Sequence, residues 1–289
     1  MAHHDGAILL GEKPEQVDMP ALDRIDPERL LASGVVARVE YLDSLGSTQD
    51  HATELARTLA SPLPLLVVAD EQTAGRGRGQ NRWWTGRGSL AFSLVFDPAD
   101  WSLFGDVLPA SSLAVGVAIV ETIQPLLEGN RVGLHWPNDV YVAGKKIAGV
   151  LVDVLAGGRH VVGIGLNVNN TLAEAPDDVR MSAASLCELA GKSFERTALL
   201  ADLLRNLQIA VRASAAAPAD FGRRFNVLCL QIGRELTVEV AGRRTSGLCA
   251  GIAPDGALLL NSHGEIRRFY SGVLVRSRGM ATASRGRRP

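Results

Sequence analysis

Between Glu71 and Trp84 the chain reads EQTAGRGRGQNRWW, with three glycines, three arginines and two tryptophans in fourteen residues. Glycine lets backbone approach a ligand closely or take up positive φ. Arginine offers a planar fork of donors that fits phosphate or carboxylate. An indole presents a flat face for a ring or a cation. Together these residues suit a loop that closes over an anion carrying a ring, a nucleotide or a strand of nucleic acid. The bland reading is a solvated surface loop, and two adjacent tryptophans count against it. Gly75, Gly77 and Gly79 are spaced GxGxG, and no GxxxxGK[ST] occurs, so neither a dinucleotide fingerprint nor a P-loop is present.

A second cluster is HWPNDVYVAGKKIAGVL, residues 135–151. Pro137-Asn138-Asp139 has the composition of a β-turn. Lys145 and Lys146 can be plain hairpin charge, or Lys146 can lie at the edge of the buried strand that begins at Ile147. GIGLNVNN, residues 163–170, is an apolar stretch ending in Asn167 and Asn169. Amides at a strand end either line a pocket or make a turn, and the residues alone leave both open.

Those residues must be positioned by regular elements. Asp26-Pro27 reads as an N-cap with proline at the first helical position, opening a short helix to about Ala32. A strand is expected within VARVEYLDSLGS, then a helix opened by Ser47-Thr48-Gln49-Asp50 and running to about Ala60. LPLLVVADEQ and GSLAFSLVFDP are apolar strands on either side of the glycine–arginine loop, which therefore connects strand to strand. A long core helix is expected over Leu108–Leu127, and another over Thr197–Ala216. Residues 131–170 read as strands joined at Ala143-Gly144 and Gly157-Gly158. From about Gly233 short alternating strands with tight turns at Ala241-Gly242 and Asp255-Gly256 fit a small β-barrel. The order is mixed α+β followed by a small β-domain.

The chain has 289 residues, 46% hydrophobic and 21% charged, with a formal net charge of −1. That length suits one large domain plus a small one, and the near-neutral balance argues against a general nucleic-acid coat. Cys187, Cys229 and Cys249 form no CxxC pair and read as small core residues of a reducing compartment. The six histidines show no HxxxH or HxH spacing, so a protein-caged transition metal is not indicated. No apolar run approaches the roughly 18 residues of a membrane span, and the start lacks the pattern of a secretory signal, so a cytoplasmic location is expected.

In conjunction, Ser47-Thr48-Gln49, DEQTAGRGRGQNRW, WPNDVYVAGKKIAGVLVD and GIGLNVN resemble the bacterial biotin protein ligases, from about Val39 to about Arg276. GALLLNSHGEIRRFYSGVL is similar to the small C-terminal SH3-like domain of that family. The resemblance implies an α+β fold: an N-terminal extension (1–34), a mixed-sheet catalytic domain of the biotin/lipoate-ligase type (35–230), an SH3-like β-barrel (231–277) and a basic tail (278–289). It suggests the ligase-only type, because residues 1–34 leave no room for the DNA-binding module of the repressor members.

The activity implied is ATP-dependent: biotin is activated as biotinyl-5'-AMP and passed to one lysine of a biotin carboxyl carrier protein. A carboxylate must then attack an anionic phosphate, which requires cations where charge develops and exclusion of water from the mixed anhydride. By resemblance Lys146, Arg76 and Arg78 are catalytic. Ser47, Thr48, Gln49, Gln72, Gly75, Arg76, Gly77, Arg78, Lys146 and Gly149 bind biotin. Trp83, Asn138, Asp139 and Asn167 lie on the adenylate side. No protein-held metal is implied; magnesium is expected with ATP, near Asp139. No specific DNA, no membrane, and a monomer or weak homodimer are expected. The sequence departs from the family pattern at His135, where a lysine is usual, and at Asn81-Arg82, where the third arginine of the loop is displaced by one residue. A lipoate or octanoate ligase of the same fold is the nearest alternative, and a nucleic-acid-binding regulator using the loop for phosphates is the alternative from another class.

Overall fold

The computed structural model describes residues 24–58, 62–101 and 111–275. The extension before residue 24, the start of the helix expected from Leu108 and the basic tail 278–289 lie outside the described residues.

Helix α1 (Pro27–Ala32) opens as its sequence signals: the Asp26 carboxylate accepts the amides of Glu28 and Arg29 at 3.0 and 3.1 Å. Strand β1 (Arg38–Leu45) leads through α2 (Thr48–Thr58) to β2 (Leu65–Gln72), and this crossover makes the two strands parallel. The glycine–arginine loop joins β2 to an antiparallel β3 (Leu90–Phe96). After α3 (Ser111–Ile123) come β4 (Val132–His135), β5 (Asp139–Val142), β6 (Lys145–Val154) and β7 (His160–Leu166). The sheet order is β1-β2-β3-β7-β6-β5-β4. The turn residues Ala143 (φ +50°) and Gly144 (φ +78°) have the left-handed backbone of a tight hairpin.

Alternation along the central strands decides which face is core. Leu66 and Val68, Phe92 and Leu94, Val162 and Ile164, and Ala148 and Val150 point one way, into the main core. There α3 and the long α6 (Arg196–Ala216) cover them. Leu65, Val67, Val95 and Val161 point the other way and are covered by Ala52 and Ala56 of α2. Because α2 packs on β2, β3 and β7, the same face remains uncovered by helix over β6 and β5.

Two short helices, α4 (Asp177–Ser182) and α5 (Leu186–Ala190), precede α6, and α7 (Pro218–Leu228) follows it. The first two are too short for a readable period; α7 did carry a signal, Pro218 at its first turn. The expected small barrel is a five-stranded antiparallel sheet: β8 (Glu235–Val240), β9 (Arg243–Ile252), β10 (Leu258–Ser262), β11 (Glu265–Phe269) and β12 (Val273–Val275), in the order β11-β10-β9-β8-β12. Among the described residues no ladder closes β11 onto β12. Cys229 and Cys249, distant in sequence, meet where α7 passes into this sheet; the contact with the Cys249 thiol pulls Cys229 down to about 7 and pushes Cys249 up.

His160, the first residue of β7, is buried and stacks on Phe96 with ring centres 5.3 Å apart. Its Nδ1 lies 2.9 Å from the Gly158 carbonyl, and its Nε2 has no partner. Burial pushes its pKa below the ordinary histidine value of 6.5. The unfolded chain therefore takes up this proton at higher pH than the folded protein does. Stability is fully present above about 6.5 and falls as pH drops from there through the folded value. His160→Phe keeps the stacking and removes the titration. Below pH 6.5 the variant should lose less stability than the parent in urea unfolding; a parent–variant difference that does not change with pH would refute the assignment.

Candidate active site

The uncovered face of the sheet, the glycine–arginine loop and strand β12 enclose a cavity of about 910 Å³. Its floor is a stripe of glycines. Gly149 of β6 pairs with Gly165 of β7, and Gly163 lies one step further along the same face. A Cβ on Gly163 would collide with the Gln49 side chain, and one on Gly165 with the Trp83 indole. Sequence reasoning recorded GIGLNVN as a motif but gave these two glycines no role. Their signal was the GxG spacing, which on a strand puts both on one face.

Lys146 reaches that face through an irregularity. Along β6 it is three residues from Gly149, which in a regular strand places the two on opposite faces. The β5–β6 ladder shifts register between Val140 and Tyr141, so that β6 carries one extra residue there. That bulge turns Lys146 onto the cavity side, where its chain end would stand 3.2 Å from a Cβ on Gly149. Its Nζ is 2.7 Å from Asp139 Oδ1 and 5.5 Å from the centre of a Trp83 ring.

The inner end of the cavity is polar but uncharged at its surface. Ser47, at the start of α2, accepts the Asp50 amide at 3.4 Å. Gln72 Oε1 accepts the Thr48 amide at 2.8 Å and the Thr48 hydroxyl at 3.2 Å, and Gln72 Nε2 donates to the Thr85 hydroxyl at 3.1 Å. Ser93 Oγ lies 3.0 Å from Thr48 Oγ1 and 3.1 Å from Gln49 Oε1. Gln49 Nε2 donates to Asp153 Oδ2 at 3.0 Å and to the Val161 carbonyl at 3.1 Å. Each amide and hydroxyl is thus held in one orientation. Ser93 and Asp153 belong to this network and were not found in the sequence, because they lie in strands that read only as apolar.

The loop is itself a small hairpin. The Gly77 amide donates to the Asn81 carbonyl at 2.8 Å, and the Trp83 amide to the Gly75 carbonyl at 2.9 Å. Gly75 is needed because a Cβ there would stand 2.5 Å from the Trp83 carbonyl oxygen. Arg76 pairs with Asp50 at 2.6 Å on the surface, and Arg78 donates to the Gly272 carbonyl beside β12. Asn81 and Arg82, the displaced pair, both line the cavity.

The adenylate-side expectations divide. Asp139 and Asn138 line the cavity, with Asn138 Nδ2 donating to the Val150 carbonyl at 2.6 Å. Trp83 lines it too, but on the glycine floor beside Lys146. Asn167 does not line it: its Nδ2 donates to the Ala184 carbonyl at 3.1 Å and its Oδ1 accepts from Asn170 at 3.2 Å. These bonds brace the chain after β7. His135 lines the outer part of the cavity, stacked on Tyr141 at 4.6 Å. Burial pushes its pKa below the ordinary value, against the pull of Asp139, so it is uncharged near neutrality and does not substitute for a lysine.

Charge is therefore graded along the cavity, from neutral hydrogen-bonding groups through Lys146 and the loop arginines to Arg131 and Arg234, which line it on the side of β4. Such a site holds a molecule with an uncharged polar head and an anionic far end. The Biotin/lipoate A/B protein ligase family model matches residues 41–169. The bifunctional ligase/repressor BirA of Bacillus subtilis is 33% identical over 239 residues, 80% of this chain and 71% of that protein. The biotin–[acetyl-CoA-carboxylase] ligase of Mycobacterium tuberculosis is 30% identical over 270 residues, 90% of this chain and 97% of its own. Among solved structures, the biotin protein ligase from Aquifex aeolicus in complex with biotin and ATP superposes with a TM-score of 0.72 at 28% identity, covering 83% of this chain and all of that one. Fold, cavity and sequence agree, and the chain belongs to the biotin protein ligases of the biotin/lipoate A/B protein ligase family.

Proposed function

We propose that the protein activates biotin with ATP as biotinyl-5'-AMP and transfers the biotinyl group to one lysine of a carboxyl carrier protein. The observation that carries this reading is Lys146 placed between a neutral, fully hydrogen-bonded pocket and a basic mouth. The neutral end, Ser47, Thr48, Gln49 and Gln72, matches a ureido head, which both donates and accepts. A lipoyl or octanoyl end makes no hydrogen bond to these groups and would bury their remaining donors and acceptors away from water without compensation.

With the head seated there, the biotin carboxylate comes to Lys146. A carboxylate oxygen attacks the α-phosphorus of ATP, and the bond to the β-phosphate oxygen breaks, releasing pyrophosphate. Lys146 balances the charge shared by carboxylate and phosphate, with Arg76 and Arg78 closing from the loop. The acceptor lysine amine then attacks the acyl carbon, AMP departs, and the amine loses a proton. Between the two steps the loop must keep water from the anhydride.

Among the described residues no three His, Cys, Asp or Glu side chains cluster to form a protein cage for a metal. Asp139 is a carboxylate facing the cavity beside Lys146, a donor that a magnesium ion arriving on ATP phosphates can use. The proposed division is a catalytic domain over 35–230 and an SH3-like domain over 231–277. No helix among the described residues is long and apolar enough to cross a membrane. A cytoplasmic location in a reducing compartment is proposed with the carrier-lysine activity.

The test is incubation with biotin, ATP, magnesium and an apo carrier domain. One added biotinyl group on the carrier by mass, with none when lipoate replaces biotin, is the expected result. Lipoylation, or no modification while ATP and biotin both bind, would overturn the reading. Salt-sensitive binding to random DNA without ligation would favour the nucleic-acid alternative.

A further inference from the structure

The mouth of the cavity carries two arginines that neither the sequence motifs nor the mechanism above employs. Arg131 precedes β4, and Arg234 lies where the chain leaves the catalytic layer for β8; both line the cavity beyond Lys146. On the C-terminal sheet Arg244 and Arg268 are matched to carboxylates, Glu239 and Asp255, each at 2.6 Å; Arg243 and Arg267 have no ion pair among the described residues but do not line the cavity. Arg131 donates only to a neutral group, the Val227 carbonyl, at 2.9 Å. The Arg234 guanidinium makes no hydrogen bond or ion pair among the described residues.

The backbone that carries Arg234 is nonetheless fixed. Its amide donates to the Gln231 carbonyl at 3.0 Å, and its carbonyl accepts from Cys249 at 2.9 Å. Gln231 Oε1 in turn accepts the Trp136 amide at 2.7 Å. This anchors Arg234 to the turn that carries Asn138 and Asp139. An uncompensated cation on a rigid backbone, at the mouth of a cavity lined with basic groups, is a site waiting for an anion.

We propose that Arg234, with Arg131, binds the β- and γ-phosphates of ATP and the departing pyrophosphate. The proposal rests on the ligase reading and adds a positional consequence. When biotin fills the neutral end and the α-phosphate sits at Lys146, the remaining phosphates extend outward to this mouth. It also answers the departure at His135: the missing fixed charge is supplied by Arg131, four residues before it, and by Arg234, far from it in sequence. Glu235 also lines this wall and opposes the two arginines.

The experiment compares the full-length protein with Arg234→Gln and Glu235→Gln variants. It measures dissociation constants for MgATP and for a hydrolysis-resistant biotinyl-adenylate analogue, which lacks the two outer phosphates. Arg234→Gln should weaken MgATP about tenfold or more, the scale of one charge-assisted hydrogen bond, and leave the adenylate analogue within about twofold. Glu235→Gln should strengthen MgATP or leave it unchanged. Unchanged MgATP affinity in Arg234→Gln, equal losses for both ligands, or weaker MgATP in both variants would each overturn the proposal. If the parent protein does not bind the adenylate analogue, the ligase reading itself fails.

Discussion

Lys146→Ala should slow biotinyl-adenylate formation by about 10²-fold or more, the scale of one preorganised group aimed at developing charge. The structure adds a reason for a large effect. Lys146 neutralises Asp139 at 2.7 Å, with both side chains largely buried. Without the ammonium, the Asp139 carboxylate would lose its closest counter-ion, keeping only the more distant Arg78, and would face the place where biotin carboxylate and phosphate must meet. The deficit should therefore be largest in the chemical step and in ATP binding, with a smaller loss of biotin affinity, because the carboxylate loses its cation while the ureido end is held by groups that do not touch Lys146. Adding Asp139→Asn should recover part of the ATP binding and none of the rate. Single-turnover release of pyrophosphate is the measurement, and a near-parental rate for Lys146→Ala would remove the lysine from the mechanism.

Arg196→Met should destabilise the fold by about 3 kcal/mol, near the low end for breaking a buried ion pair, because Asp70 keeps partial access to water. Arg196 is 1% exposed. Its Nη1 is 2.8 Å from Asp70 Oδ1 and 3.1 Å from the Ser89 carbonyl, and Tyr41 donates to the other Asp70 oxygen. Asp70 lies near the end of β2 and Ser89 just before β3. One guanidinium on α6 thus clamps both stems of the glycine–arginine loop. The expected results are a lower urea midpoint and, at temperatures where the variant is folded, faster escape of biotinyl-adenylate. Arg196→Lys, with a single point charge in place of the fork, should fall between. A variant with the parental midpoint would show that Met fills the site without loss and that the clamp is dispensable. Parental retention of the adenylate would separate the clamp from the lid.

Apolar periodicity and turn chemistry are local, so the strands and the helices α1, α2, α3 and α6 were legible in order from the residues alone, whereas α4 and α5 were not, and of α7 only the opening proline was. Asp26-Pro27, Ala143-Gly144 and Gly157-Gly158 each need only their neighbours to act. The sequence by itself also determined the family and the groups on the cavity wall that lie in continuous motifs: Ser47-Thr48-Gln49, the GRGR loop, and Asn138 with Asp139. Contacts between distant segments were not legible. Nothing in KKIAG says that the ladder shifts by one residue, yet that shift puts Lys146 on the same face as Gly149. Asn167 read equally as pocket or turn, and only the tertiary structure brings the Ala184 carbonyl and Asn170 to it. Gly163 and Gly165 became a floor only when Gln49 and Trp83 came to lie on them. Arg196 and Arg234, one buried against Asp70 and one without an ion pair among the described residues, look alike in the sequence. Their charge is a property of the residue, but whether it is neutralised depends on which carboxylate the tertiary structure brings within a few ångströms.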